Sequence, residues 1–332
     1  MIYRKLGKSD VEISAITFGA WAVGGWMWGG TDEEQSIAAI RKAIELGVTS
    51  IDTAAVYGFG RSEEIVARAI APYKREDLQI LTKFGLRWDI TEPAPKRWDT
   101  TGRDGKPTVV SHWAKADGII YECEQSLRRL NTDYIDVFQQ HWPDPGTPVD
   151  ESAIALTKLL EQGKIRAAGE SNFGVDLLDE ISRQIPIASN QPPYSMVNRG
   201  IEDDVMPYCV ENDIAVIVYS PLQRGLLTGK ITQGYEFKGD DHRAGSPLFK
   251  GENLNRINAF LNTIRPIAQA HGATLAQLVI NWTLNRPGVT AVLVGARNPQ
   301  QAEENTRAVE FELTETETAE INEKLDDLEL TT

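Results

Sequence analysis

Residues 31–52 read TDEEQSIAAIRKAIELGVTSID, and in this stretch one helical pattern leads directly into one strand pattern. Apolar side chains recur at helical spacing from Ile37 to Ile44, and the turn before them is acidic. We predict a helix over 31–46 that begins with Thr31 as its cap, followed by a strand over 48–51. Such a unit is typical of a parallel sheet whose strands are joined by crossover helices.

The same alternation of short strand patterns and longer helical patterns continues along the chain. The predicted strands are 15–18, 48–51, 78–82, 134–138, 165–168, 187–188, 214–218 and 291–294. Further helices are predicted over 114–130, 151–161, 203–211 and 274–285. Eight strands with intervening helices in a chain of 332 residues predict an α/β fold, the (β/α)8 TIM barrel. A doubly wound open sheet is the alternative.

Four segments lie outside this pattern, namely 3–13, 86–111, 223–252 and 314–328. We expect the first to form an N-terminal β-hairpin and the last to contribute to extra C-terminal helices. No linker or run of charge interrupts the alternation of strands and helices. We therefore expect residues 1–332 to form a single barrel domain.

The composition is that of a folded, acidic protein, with 41% hydrophobic and 25% charged residues. A formal net charge of −14 disfavours nucleic acids and anionic membranes as partners. The chain has no run of eighteen apolar residues and begins without the apolar core of a signal peptide, so we expect a cytoplasmic protein. Its four histidines are scattered and its two cysteines are far apart, so no metal site is expected.

Polar side chains stand where the predicted strands end, which in a barrel is the face that carries the active site. Asp52 and Tyr57 follow the second strand, Lys83 the third and His141 the fourth. Taken one at a time, these residues have ordinary structural explanations: a lysine that leaves the core for solvent, a tyrosine that covers the surface, and a structural histidine. Together they suit carbonyl reduction: a tyrosine donates a proton, a lysine ammonium lowers the pKa of that tyrosine, a carboxylate holds the lysine, and a neutral imidazole orients the carbonyl.

Motifs over nearly the whole chain resemble, in unbroken order, those of the aldo-keto reductases. The stretches are IDTAAVYG at 51–58, LTKFG at 81–85, YIDVFQQHWP at 134–143, GKIR at 163–166, GESNF at 169–173, QPPYS at 191–195, YSPL at 219–222 and GLLTGK at 225–230. The stretches GAW at 19–21 and GGWMWGG at 24–30 are similar to the bacterial general-stress-protein-like branch, which is related to potassium-channel β subunits.

The resemblance implies an NADP(H)-dependent oxidoreductase that reduces an aldehyde or ketone to an alcohol by hydride transfer. By matching position, Tyr57 is the proton donor, Lys83 and Asp52 tune it, and His141 orients the carbonyl. The expected partner is a small-molecule carbonyl substrate.

The resemblance also implies where the cofactor binds. The residues are Gly19, Ala20, Trp21, Ser171, Asn172, Gln191, Tyr219, Ser220, Pro221, Leu222, Gly225, Leu227, Lys230, Gly295, Arg297, Gln301, Glu304 and Asn305. Of these, Ser171, Asn172 and Gln191 hold the carboxamide, and the ring of Tyr219 stacks on the nicotinamide. Because a 2′-phosphate needs a cation and Arg297 precedes a helix, we expect NADP(H) to be preferred over NAD(H). Alternatively, Arg297 pairs with a nearby acid.

For the substrate we expect an aromatic pocket formed by Trp21, Trp28, Tyr57, Trp88 and Trp142. Segment 86–111 either forms a wall of this pocket or folds back as a hairpin that only packs on the barrel rim.

Glu170 departs from the family pattern, in which its position is commonly valine. The side chain is expected either to place a carboxylate beside the carboxamide site or to pair with Arg166.

Two further functions remain open from the sequence. A cofactor-sensing regulatory subunit would keep the NADP site without turnover. A sugar or polyol dehydrogenase would use the same residues in the oxidative direction.

Overall fold

The computed structural model describes residues 1–331 of the chain. Its strands are β1 (Tyr3–Lys5), β2 (Glu12–Ser14), β3 (Ile16–Gly19), β4 (Ser50–Asp52), β5 (Gln79–Phe84), β6 (Leu86–Arg87), β7 (Lys96–Thr101), β8 (Pro107–His112), β9 (Ile135–Gln140), β10 (Ile165–Ser171), β11 (Ile187–Gln191), β12 (Ala215–Tyr219) and β13 (Val289–Val294).

Eight of these strands close into a barrel in the order β3, β4, β5, β9, β10, β11, β12 and β13, with β13 pairing back to β3. Every neighbouring pair in the barrel is parallel. This closure confirms the predicted TIM barrel, and the open-sheet alternative is wrong. Each predicted strand is present, although β10 was predicted to end at 168 and ends at Ser171.

Helices surround the barrel and cover its outer face. They are α1 (Glu33–Glu45), α2 (Arg61–Ile70), α3 (Ala116–Leu130), α4 (Val149–Glu161), α5 (Val175–Ser182), α6 (Val205–Glu211), α7 (Gly251–Ala270), α8 (Leu275–Leu284), α9 (Pro299–Thr306) and α10 (Glu315–Asp326). Helix α1 differs from the prediction in its cap, because the Asp32 side chain, not Thr31, accepts from Gln35 N, at 3.0 Å. The hydroxyl of Thr31 lies 3.0 Å from that of Ser36 instead.

The N-terminal hairpin of β1 and β2 closes the end of the barrel that lies opposite the strand C-termini. Leu6, Val11 and Ile13 are at most 1% exposed and form one apolar cluster with inward-facing barrel residues such as Leu81 and Ile217. The predicted hairpin therefore serves as an apolar plug in the bottom of the barrel.

Segment 86–111 forms the antiparallel sheet β6–β8–β7, which stands on the rim of the barrel after β5. Gly85 makes the bend between β5 and β6 with φ +90°, a conformation that favours glycine. Leu86 and Val110 then pack against Val56 and Phe59 of the segment that follows β4. We call β6–β8 the rim sheet.

Segment 223–252 holds short 3-10 helices and loops rather than strands. Its residue Asp240 accepts hydrogen bonds from Met27 N at 2.7 Å and from Gly29 N at 2.9 Å, so this segment is joined to the loop that follows β3. Within residues 1–331, no helix combines the length and apolar character needed to span a bilayer.

Candidate active site

A cavity of about 620 Å³ opens at the C-terminal ends of the barrel strands. Most of the residues that the sequence assigned to the site line it, namely Gly19, Trp21, Trp28, Asp52, Tyr57, His141, Trp142, Ser171, Asn172, Gln191, Tyr219, Ser220, Pro221, Leu222, Gly225, Lys230, Gly295, Arg297, Gln301, Glu304 and Asn305. The barrel brings them together because parallel strands present all their C-termini on one face.

Four of the assigned residues do not line this cavity. Ala20 and Leu227 are fully buried. The backbone of Ala20 bonds to Asp52 O at 2.8 Å and to the Ser62 hydroxyl at 2.8 Å, which leaves it nothing to offer a ligand.

Trp88 is displaced from the cavity for a different reason. It lies beyond the short strand β6 and packs edge-on against Phe59, with ring centroids 5.4 Å apart. The expectation that Trp88 forms part of the substrate pocket is therefore wrong. The rim sheet contributes Trp98 in its place.

Lys83, the fourth, lies under the cavity floor, where it is 1% exposed and pairs with Asp52. Its Nζ donates to Asp52 Oδ1 at 2.5 Å and to Thr53 O at 2.9 Å. The expected pairing of Lys83 with Asp52 is thus present. Burial lowers the pKa of Lys83, and the Asp52 carboxylate opposes that shift by favouring the ammonium.

Tyr57 is placed by a close approach between two backbone segments. A Cβ on Gly24 would lie 2.7 Å from Tyr57 O, and a Cβ on Gly58 would lie 2.5 Å from Gly24 O, so only glycines fit at this contact. The loop after β4 is thereby held against the loop after β3, and the Tyr57 ring stands 6.1 Å from that of Trp21.

His141 faces Tyr57 across the cavity. Its Nε2 lies 3.5 Å from the Tyr57 hydroxyl, and the two rings meet edge to face at 80°. Burial, together with the charges of Lys83 and Arg97, lowers the pKa of His141 well below its usual value. The imidazole is therefore neutral near pH 7, which suits the expected role of His141.

The pKa of Tyr57 moves in the direction opposite to our expectation that Lys83 would lower it. Burial, followed by the Asp52 carboxylate, raises the pKa of Tyr57 well above its usual value. Lys83 Nζ is 5.2 Å from the centre of the Tyr57 ring, and its charge is balanced by Asp52 at 2.5 Å. Tyr57 is consequently protonated at physiological pH.

A second set of polar side chains lines the cavity wall at the ends of β10, β11 and β12. Asn172 donates to His141 O at 2.9 Å and accepts from the Tyr219 hydroxyl at 2.8 Å. Gln191 Nε2 donates to Asp52 Oδ2 at 2.8 Å, which ties this wall to the lysine–aspartate pair. Asn172 has φ +63° and Ser220 φ +59°, and strained backbone of this kind clusters at functional sites.

Cationic residues lie on another part of the cavity wall. Arg297 donates to Trp28 O at 2.6 Å, and its guanidinium lies 5.4 Å from the Trp28 ring. Among residues 1–331 it forms no ion pair with an acid, so the alternative explanation for Arg297 is wrong. Lys230 lies 3.3 Å from Glu304 on the same wall.

Glu170 fulfils neither expectation for it. It does not line the cavity, and Arg166 pairs with Asp136 at 2.6 Å. Glu170 is fully buried, and within the described chain both of its carboxyl oxygens lack a hydrogen-bond partner. Burial raises the pKa of Glu170 well above its usual value, so the side chain is a neutral acid in the core.

Sequence reasoning missed several residues that line the cavity. The rim sheet contributes Arg97 and Trp98, and segment 223–252 contributes Arg224, Tyr235, His242 and Arg243. The tryptophans of 86–111 signalled an aromatic wall, but which of them faces the cavity depends on the local course of the strand. His242 lies 4.8 Å from the Trp21 ring, a long-range contact that no motif indicates.

Comparison with known proteins gives a consistent result. The family model described as "Aldo/keto reductase family" matches residues 15–326. Aldo-keto reductase YhdN of Bacillus subtilis (strain 168) is 40% identical over 97% of this chain and 93% of that protein. The NADH-specific methylglyoxal reductase of Escherichia coli (strain K12) is 33% identical over 98% of both chains.

A solved structure agrees with these sequence matches. The glycerol dehydrogenase AKR11B4 from Gluconobacter oxydans is 37% identical, with a TM-score of 0.87 over 98% of this chain and 95% of that one.

Proposed function

Because the chain belongs to the aldo/keto reductase family of oxidoreductases, we propose that it reduces an aldehyde or ketone to an alcohol with NADPH, and that Tyr57 is the proton donor. The observation that carries this proposal is the facing pair of Tyr57 and His141, 3.5 Å apart at the cavity floor. Both groups are neutral near pH 7, because burial raises the pKa of Tyr57 and lowers that of His141.

These two side chains have complementary roles toward a carbonyl oxygen. Neutral His141 holds the oxygen by a hydrogen bond, and protonated Tyr57 donates its proton as negative charge develops there. A raised pKa suits this role, since an alkoxide is far more basic than a phenolate and the phenol must stay protonated until the alkoxide forms. Asp52 on the cavity lining and Lys83 below it fix the electrostatic environment of Tyr57.

The residues of the β10–β12 wall fit a nicotinamide carboxamide, which offers two N–H donors. Gln191 uses its N–H donors on Asp52 and Gln139, and Asn172 uses its own on His141 O and Ser171. The side-chain oxygen of Gln191 is therefore available to accept from the carboxamide, and the Asn172 oxygen has one lone pair left besides the one that accepts from the Tyr219 hydroxyl. When bound there, the nicotinamide supplies the hydride.

The preference for NADPH is supported by the cationic residues that line another part of the cavity wall. Arg297 stands before α9 without an acidic partner in residues 1–331 and lines the cavity, which suits a 2′-phosphate. The named NADH specificity of the Escherichia coli relative makes a direct comparison of the two cofactors necessary.

A second candidate is oxidation of a polyol by the same residues in reverse. The observation that favours it is the 37% identity with a protein named glycerol dehydrogenase over nearly the full length. In that direction Tyr57 would accept the proton, and alkaline pH would favour the reaction because the tyrosine must first deprotonate.

A steady-state screen tests the proposal. Wild-type protein and Tyr57→Phe are assayed with NADPH and NADH against aldehydes, ketones and keto-sugars, and with NADP⁺ against polyols. We expect wild-type reduction of aldehydes to exceed that of Tyr57→Phe by at least about a hundredfold, with little change in NADPH affinity. Substantial turnover that is equal in wild type and Tyr57→Phe would refute the proton-donor role. Absence of turnover above the protein-free rate in both proteins would instead support a cofactor sensor.

A further inference from the structure

The rim sheet carries a β-bulge whose extra residue is Arg97. Lys96 pairs opposite Ser111, and Trp98 pairs opposite Val110, so Arg97 has no residue opposite it. Successive side chains of a regular strand point to opposite faces, yet Arg97 and Trp98 both line the cavity. The bulge therefore turns an arginine toward the site that a regular strand would direct away from it.

The Arg97 guanidinium has no hydrogen bond or ion pair within residues 1–331. It lies 4.2 Å from the centre of the Trp142 ring and 5.4 Å from that of Trp98, and these aromatic faces fix its position. Arg97 is an exposed residue that contacts both rings, and its donors are left for a ligand.

Most other cations of the cavity wall are already engaged. Lys230 pairs with Glu304 and Arg243 pairs with Asp241, whereas Arg297 is the residue that we assign to the 2′-phosphate. Arg224 also lacks such a partner among the described residues, but it lies in the segment after β12 that we assign to the dinucleotide. On the substrate side, Arg97 is the cation that remains for a ligand within residues 1–331.

Arg97 is also close to the reacting centre. It stacks on Trp142, which directly follows His141, and both Trp142 and His141 line the same cavity. The carboxylates of the lining are Asp52 and Glu304, which are bound by Lys83 and Lys230. An anion near Arg97 would therefore meet no unpaired acid from the described part of the wall.

We propose that Arg97 selects carbonyl substrates that carry an anionic group, a carboxylate or a phosphate, a few bonds from the carbonyl carbon. A guanidinium presents parallel N–H donors that match two oxygens of either group. This inference rests on the proposed carbonyl reduction and specifies its substrate class.

The test compares matched pairs of aldehydes that differ in charge. Succinic semialdehyde is compared with its methyl ester, and glyceraldehyde 3-phosphate with glyceraldehyde, in wild type, Arg97→Gln and Arg97→Lys. Lys96→Gln is the control, because Lys96 lies on the same strand, pairs with Asp99 and does not line the cavity.

In wild type we expect a kcat/KM at least about tenfold higher for the anionic member of one or both pairs. Arg97→Gln should bring that ratio close to one, Arg97→Lys should retain part of it, and Lys96→Gln should retain all of it. The aldehyde pair whose ratio falls in Arg97→Gln identifies the preferred anion as a carboxylate or a phosphate. High ionic strength should reduce the wild-type ratio.

If the ratio of kcat/KM between the anionic and the neutral aldehyde were equal in wild type and Arg97→Gln, the proposed role of Arg97 would be overturned. Failure of the wild type to reduce either member of both pairs, together with a negative aldehyde screen, would instead overturn the proposed function. The two failures are distinguishable because the neutral aldehydes report on reduction alone.

Discussion

Lys83 Nζ donates to Asp52 Oδ1 at 2.5 Å at the base of the cavity, and both residues are at most 2% exposed. The other oxygen of Asp52 accepts from Gln191 at 2.8 Å, so the ion pair is continuous with the wall proposed to hold the carboxamide. One buried pair therefore belongs both to the barrel core and to the site, and its loss affects stability as well as turnover.

Lys83→Met is expected to lower the free energy of unfolding by about 3 kcal/mol, because it leaves the Asp52 carboxylate buried without its cation. The double variant Lys83→Met/Asp52→Asn should recover much of that loss while remaining inactive. Urea denaturation of the wild type, both single variants and the double variant measures the coupling. Additive effects of the two substitutions would contradict the pairing.

Arg297→Ala is expected to weaken the binding of NADPH by about tenfold or more and the binding of NADH much less, because only NADPH carries the 2′-phosphate. Fluorescence titration of both cofactors measures the two affinities. Arg307→Ala is the control, since Arg307 is exposed at the end of α9 and pairs with Glu310. Equal losses for the two cofactors would show that Arg297 does not bind the 2′-phosphate.

Glu122 makes stability depend on pH near neutrality, because burial raises the pKa of its carboxyl to about 8. Between the unfolded pKa of roughly 4.3 and that value, the unfolded chain has lost the proton while the native protein keeps it. The unfolding free energy contributed by this group is therefore highest below that window and falls as pH rises through it.

Glu122→Gln removes this dependence and can still accept from Gly85 N, which now bonds Glu122 Oε2 at 3.0 Å. We expect the variant to gain stability relative to wild type as pH rises from 5 to 9, measured by thermal or urea unfolding. Glu124→Gln, a variant of a carboxylate whose pKa the Lys164 ammonium lowers, should show no such trend. If the difference in unfolding free energy between wild type and Glu122→Gln stayed constant from pH 5 to 9, Glu122 would not titrate in this range.

Glu170→Leu is expected to raise the free energy of unfolding by about 1–3 kcal/mol, because the side chain is buried with both oxygens unpartnered in residues 1–331. The gain in unfolding free energy should be larger at alkaline pH. There the unfolded wild-type chain ionises Glu170 readily, whereas burial keeps the native side chain protonated. Glu180→Leu, at an exposed position on α5, should change stability by less than about 0.5 kcal/mol. A loss of stability in Glu170→Leu would indicate that the carboxyl makes a favourable contact.

The barrel and the floor of the site could be predicted because each depends on local sequence. Strand and helix periodicity gave the eight strands, and Asp52 and His141 were placed by their position at strand ends. Such positions follow from the parallel arrangement alone, since each strand end reaches the same face.

The remaining features depend on interactions between distant segments. Arg97 faces the cavity because of a one-residue bulge, and nothing in KRWDTT distinguishes a bulged from a regular strand. Glu170 lies within β10 and is fully buried there, so it neither lines the site nor pairs with Arg166, the two places that its motif position had suggested. The pKa of Tyr57 follows from its burial, which depends on packing between segments that are distant in sequence.

The apolar plug of Leu6, Val11 and Ile13 has a kinetic consequence. With that end of the barrel sealed, the cofactor and the carbonyl compound that we propose would share the opening at the carboxyl ends of the strands. We therefore expect the molecule that binds deeper to enter first and to leave last.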